Sequence, residues 1–231
     1  MAKHLDLEEQ EQLAELKHFW NQYGNLITWI LILVFGSVAA WNGYQYWQRS
    51  QASQAATLYD EVERAAAGGD AERLDRAFAD MKDKFGKTIY ASQAALLVAK
   101  NAIDRGNPDA ARTVLTWAIQ QGKDRGHQSL ARLRLSAIQH EARAYDEALA
   151  TLADGFPVEF EPLAADRKGD ILLAQGKKPE AIQQYLKAYK GLPERLDYRR
   201  LVQIKLTSLG VDATGAQATA TAPTGATGGK P

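Results

Sequence analysis

LAADRKGDILLAQGKKPEAIQQYLKAYKGLP, residues 163–193, reads as two short helices folded back on one another. Apolar residues recur at helical spacing on both sides of Gly176, and Gly176 supplies the backbone freedom for the turn between them. Each small or bulky position has a physical job. Gly169 allows close approach of the two helices, Ala181 fits where they cross, and Tyr185 and Ala188 pack inward. Leu172 and Leu173 add apolar surface, and Pro193 stops the second helix.

The same pattern recurs upstream. Gly106, Ala111, Leu115 and Ala118 form one copy, and Ser136, Tyr145, Ala148 and Leu152 another. The small residues Ala111, Ala148 and Ala181 are 37 and 33 residues apart, close to the nominal 34-residue period of a tetratricopeptide repeat. A degenerate fourth copy has Gly69 at the turn, Leu74 at the small-residue position, and Phe78 and Met81 packing ahead of Gly86. One such hairpin cannot cover its apolar face, whereas in-phase copies bury a continuous core. The fold predicted is all-α, a right-handed tetratricopeptide-like solenoid with a concave groove.

The first helix of each pair lines that groove. This points to Gln93, Leu96, Lys100, Asp104, Leu130, Leu133, His140, Asp166 and Asp170 as candidate partner-binding residues. Their mixture of apolar and charged groups suits an extended peptide or a partner's helix.

Composition agrees with helix. The chain of 231 residues is rich in Ala, Leu, Gln, Glu, Lys and Arg and has only 7 Pro, and these types lose little side-chain entropy in a helix. Lys plus Arg and Asp plus Glu balance at 28 each, so no net field draws the chain to nucleic acid. The absence of Cys excludes disulfides, zinc–thiolate sites and cysteine nucleophiles.

Ahead of the repeats, no Asp, Glu, Lys or Arg stands between Lys17 and Arg49. Residues 23–41 are 19 uncharged positions, which at about 1.5 Å each nearly match a hydrocarbon core of roughly 30 Å. Trp20 and Tyr23 at one end and Trp41, Tyr44, Tyr46 and Trp47 at the other form the aromatic belts expected among lipid headgroups. Ser37-Val38-Ala39 has the spacing of a signal-peptide cleavage site. The preceding segment carries Asp6, Glu8, Glu9, Glu11 and Glu15, however, which disfavours cleavage and favours a retained span. Lys3 and Lys17 against Arg49 and Arg64 give no orientation by charge. Asp6 with Glu9 marks a helix start, and Leu13, Leu16 and Trp20 make an apolar stripe suited to headgroups, to a partner helix, or to a plain solvated leader.

The organisation expected is a leader over residues 1–22, a transmembrane helix over 23–47, the repeat domain over 48–210, and an Ala/Thr/Gly/Pro tail over 211–231 without anchors to bury. Catalytic signatures are missing. Gly86-Lys87-Thr88 lacks the earlier glycine and strand of a phosphate loop. His4, His18, His127 and His140 form no HExxH pair, and there is no Gly-x-Ser-x-Gly elbow. Neighbouring carboxylates such as Asp60 and Glu61 diverge on a helix. No cofactor, metal or enzymatic activity is expected.

Glu9-Gln10 in an acidic leader, the run from Leu16-Lys17-His18-Phe19-Trp20 to Gly24-Asn25 before the span, and degenerate repeats ending at Leu201–Gly210 together resemble the ancillary SecYEG translocon subunits of proteobacteria. The resemblance covers residues 1 to 210. It implies a single-pass inner-membrane protein with a cytoplasmic N-terminus and a periplasmic repeat domain. Its implied partners are the SecYEG channel, a periplasmic peptidyl-prolyl isomerase-like chaperone and translocating polypeptides. A scaffold for another envelope assembly, such as cell-division or pilus machinery, shares the same architecture.

Overall fold

No Gly or Pro interrupts residues 44–67, and the helix that carries the apolar segment continues through them without a break. In the computed structural model, which describes residues 7–153 and 155–213, with side chains from residue 12 onward, α1 runs Leu7–Ala67. The sequence places the end of the spanning helix at residue 47 and the short repeat helices from 48 onward. The observed first turn comes only at Gly68-Gly69, where helix propensity drops. Asp6, expected to start the helix, lies outside the described residues, as does the tail from residue 214.

The chain divides into two compact units at Ser53/Gln54. Among its described residues the first is helix alone. Its apolar side chains point outward: Trp29, Leu33, Phe35 and Trp41 are each about two-thirds exposed. Only 6% of its most apolar window is buried, unlike a core helix of a soluble protein. The stretch is long and apolar enough to cross a membrane. Its polar side chains return to their own backbone. Thr28 Oγ1 donates to the Gly24 carbonyl at 2.7 Å, Ser37 Oγ to Leu33 at 2.7 Å and Asn42 Nδ2 to Val38 at 3.0 Å. Such bonds spare hydroxyl and amide groups an unsatisfied state in hydrocarbon.

The second unit begins with the last turns of α1 and continues through α2 (Ala71–Phe85), α3 (Ile89–Asp104), α4 (Pro108–Gln121), α5 (Arg125–Glu141), α6 (Tyr145–Thr151), α7 (Glu161–Ala174), α8 (Lys178–Gly191) and α9 (Asp197–Ser208). The described residues contain no strand. Side-chain oxygens start four of the helices. Asp70 accepts from the Arg73 amide, Thr88 from Ala91, Asn107 from Ala110 and Asp124 from His127, at 2.8 to 3.3 Å. Pro108, Pro162 and Pro179 occupy first-turn positions, where a missing N–H costs nothing.

The helices pair as α3 with α4, α5 with α6 and α7 with α8, and the first helices of successive pairs also touch, α3 on α5 and α5 on α7. Each pair turns on one residue in the left-handed region: Gly106 at φ 72°, Arg143 at φ 61° and Gly176 at φ 78°. Each turn is closed by the same bond to the carbonyl five residues back, from Asn107 to Ala102, Ala144 to Gln139 and Lys177 to Leu172, at 2.8 to 2.9 Å. Five residues after each turn stands a fully buried alanine, Ala111, Ala148 or Ala181.

α9 ends in that turn too. Gly210 has φ 83°, and the Val211 amide donates to the Leu206 carbonyl at 3.0 Å. The helix is therefore the first helix of a fifth unit. Beyond it Val211 packs on the core and Ala213 is 2% exposed, which corrects the expectation that nothing from residue 211 onward is buried. A small residue fits the bottom of that contact where the pattern of the composition alone suggested only linker.

Candidate functional site

The inward packing of the repeats leaves a surface on which the first helices sit side by side, and its features differ from joint to joint. Between α3 and α5 lies an open cavity of about 320 Å³. Ala99 and Ile103 of α3, Leu115 of α4, and Ala137 and Ile138 of α5 make its apolar walls. Lys100, Arg134 and Glu141 are the charged groups that line it. Arg134 is half-buried and donates from Nη1 to the Leu96 carbonyl at 2.8 Å. Burial pulls its guanidinium below the ordinary arginine pKa.

Between α7 and α9 the corresponding joint is closed. Lys205 of α9 places Nζ 2.9 Å from both carboxylate oxygens of Asp166 and 2.7 Å from Asp170. The Tyr198 hydroxyl donates to Asp166 at 2.6 Å, and the Tyr185 hydroxyl to Asp170 at 2.8 Å. Burial, reinforced by these carboxylates, raises the pKa of both tyrosines well above the ordinary phenol value.

The expected lining residues divide accordingly. Lys100 reaches the cavity and pairs with Asp104 one turn on. Gln93 and Leu130 are half-buried on the same two helices, nearer their N-termini. Five positions need correction. The Leu96 side chain is in the core, and only its carbonyl takes part at the joint. Leu133 packs with Ala148, Leu152 and Ile171 beneath α6, and the His140 ring lies 5.7 Å from Tyr145. Asp166 is 2% exposed and, with Asp170, is taken up by α9. The cause is register: on α5 the stripe 134, 137, 141 meets the cavity, whereas 133 and 140 turn toward α6.

The residues expected to pack the repeats divide between turns and buried contacts. Gly106 and Gly176 make turns, and Ala111, Ala148, Ala181 and Ala188 are fully buried. A Cβ on Gly169 would come within 2.6 Å of the Tyr185 ring. Sequence reasoning missed Arg134, whose signal was present: a cation four residues after Leu130 and seven before Glu141, on a stripe with Ala137 and Ile138 between them. Among the described residues no group of three or more His, Asp or Glu side chains could hold a metal ion.

The chain matches the family described as a tetratricopeptide repeat-like domain over residues 17–211. It is 33% identical to the ancillary SecYEG translocon subunit of Neisseria gonorrhoeae, over 90% of this chain and 100% of the relative. The proteins of that name from Haemophilus influenzae and Escherichia coli are 30% and 25% identical, over 88% and 75% of this chain and 98% and 83% of theirs.

Proposed function

Since the chain belongs to the tetratricopeptide repeat-like family of ancillary SecYEG translocon subunits, we propose that it is a non-catalytic accessory of the translocon. In this reading α1 anchors it in the bacterial inner membrane, with the N-terminus cytoplasmic, the span over residues 23–47 and the repeat domain over 48–210 periplasmic. The groove made by the first helices then holds segments of partner proteins: a periplasmic peptidyl-prolyl isomerase-like chaperone, or polypeptides emerging from the channel. The observation that carries the reading is the open joint between α3 and α5, with a volume of about 320 Å³ and a largely apolar wall. A helical stack has no need of such a cavity for its own stability, and an apolar recess with few polar groups is the usual form of a recognition surface.

Purification of the full-length protein in mild detergent, followed by mass spectrometry of what stays bound, tests the partner. Recovery of SecY with a periplasmic isomerase supports the proposal. Recovery of a cell-division or pilus complex in their place replaces the function and leaves the architecture. Orientation is tested by a reporter active only outside the cytoplasm, fused after Gly210. Activity is expected, and inactivity rules out a periplasmic repeat domain.

A further inference from the structure

The cavity between α3 and α5 has a polarity that its apolar walls do not explain. Arg134 lines one end and Glu141 the other, separated along α5 by seven residues, or about 10 Å at 1.5 Å per residue. Lys100, which also lines the cavity, is engaged by Asp104. Arg73, Arg112, Arg199 and Lys205 each have a carboxylate within 3.3 Å. Among the described residues Arg134 has none, and its hydrogen bond goes to the Leu96 carbonyl. Exposed Arg64 and Arg105 likewise bond to backbone carbonyls, whereas Arg134 is half-buried. A guanidinium carries five N–H donors in a planar fork shaped for a carboxylate. A half-buried cation without a counter-charge is costly to the free protein and is relieved when an anion arrives.

We propose that this joint binds a partner segment whose apolar side chain enters the cavity and whose Asp or Glu side chain lies against Arg134. The proposal rests on the reading of the groove as a partner-binding surface and specifies its ligand. An acidic residue within a chain, rather than a chain end, fits because the two helices continue past Arg134 to half-buried Gln93 and Leu130. The bound segment can therefore extend in both directions. Glu141 repels a second carboxylate at the far end, so the acidic residue has one preferred side of the apolar anchor. The pull of burial on the Arg134 pKa agrees with a charge short of compensation.

The test uses the full-length protein in detergent micelles and a randomised synthetic library of short peptides, in C-terminally amidated and free-acid forms. Bound peptides are identified by mass spectrometry. The amidated peptides retained are expected to carry Asp or Glu at a fixed spacing from an apolar residue. R134Q should weaken the selected peptide about tenfold or more, as for loss of a charge-assisted contact. R134K should keep the acidic preference, and R134E should turn it toward Lys and Arg. Ala137→Leu fills the cavity at a position where α3 and α7 carry the larger Lys100 and Asp170, so it separates the two levels of the reading. If peptides bind, lose binding in A137L and show no acidic preference, the proposal falls while the groove reading stands. Retention from the free-acid set alone makes the ligand a chain terminus and overturns the assignment to Asp or Glu. If no retained peptide is sensitive to A137L, both readings fall.

Discussion

The joint between α7 and α9 and the joint between α3 and α5 are the same construction in two states. In each, a first helix lies beside the first helix of the next unit. At α7/α9 the cation is Lys205, and it reaches two carboxylates and closes the surface. At α3/α5 the cation is Arg134, with only a backbone carbonyl to bond, and the surface stays open as a cavity. α9 brings the counter-charge for both carboxylates of α7. The α3/α5 joint rests on the core below it, and its cation has no carboxylate of its own.

Cutting the clamp should break this contrast most visibly. Lys205→Met leaves Asp166, 2% exposed, with the Tyr198 hydroxyl in place of a cation. Removing one partner of a buried pair costs about 3 kcal/mol. Urea unfolding of the full-length protein in mild detergent, followed by circular dichroism, should show that loss. Asp166→Asn together with Lys205→Met should recover part of it, because the stranded charge is gone. If the single substitution is silent, α9 is held by apolar packing alone and the clamp is ornamental to its stability.

Gly169→Ala comes next. The added methyl would lie within 2.6 Å of a Tyr185 ring that is itself buried and tethered to Asp170. With the ring unable to retreat, overpacking should cost about 2 kcal/mol. This is the part of the molecule most legible in the sequence. Gly169, Ala181 and Tyr185 are dictated by contact distances and Gly176 by its positive φ, conditions few residue types satisfy, so their spacing alone marks the hairpin. The turn at Arg143 was not legible. It adopts the backbone of Gly106 and Gly176 with a residue whose side chain gives no hint of positive φ. The groove was legible only as to helix. A stripe on α5 shifted by one residue moves a side chain about 100° around the axis, enough to send Leu133 and His140 to α6 and bring Arg134 to the cavity. The role of α9 was hidden for another reason: Asp166 and Lys205 are 39 residues apart, and no local pattern couples them.

Alkali should act on the closed joint and spare the open one. Tyr185 has a folded-state pKa raised above 10.0 by burial and by the Asp170 carboxylate. Below pH 10 the tyrosine is protonated in both folded and unfolded chains, and its contribution is fully present. Above pH 10 the unfolded chain releases the proton first, so stability falls by about 1.4 kcal/mol per pH unit from this one group. Unfolding midpoints measured across that range should show the slope, and Tyr185→Phe should reduce it by this group's share, leaving that of Tyr198. A slope unchanged in Tyr185→Phe would assign the alkaline sensitivity to other groups.

The smallest effect on stability is the most informative about the open joint. Arg134→Met keeps an apolar stem at a cavity also lined by Ile103 and Ile138 and discards the guanidinium. Loss of one hydrogen bond to the Leu96 carbonyl costs about 1 kcal/mol. Relief of an uncompensated half-buried charge acts in the opposite direction with similar size. The expected change is therefore within about 0.5 kcal/mol of zero, against about 3 kcal/mol for the lysine at the closed joint. If Arg134→Met destabilises as much as Lys205→Met, Arg134 is a structural cation whose role ends within the stack, and the two joints differ only in the atoms that close them. If it is silent while peptide binding falls, the charge is maintained for something outside the chain.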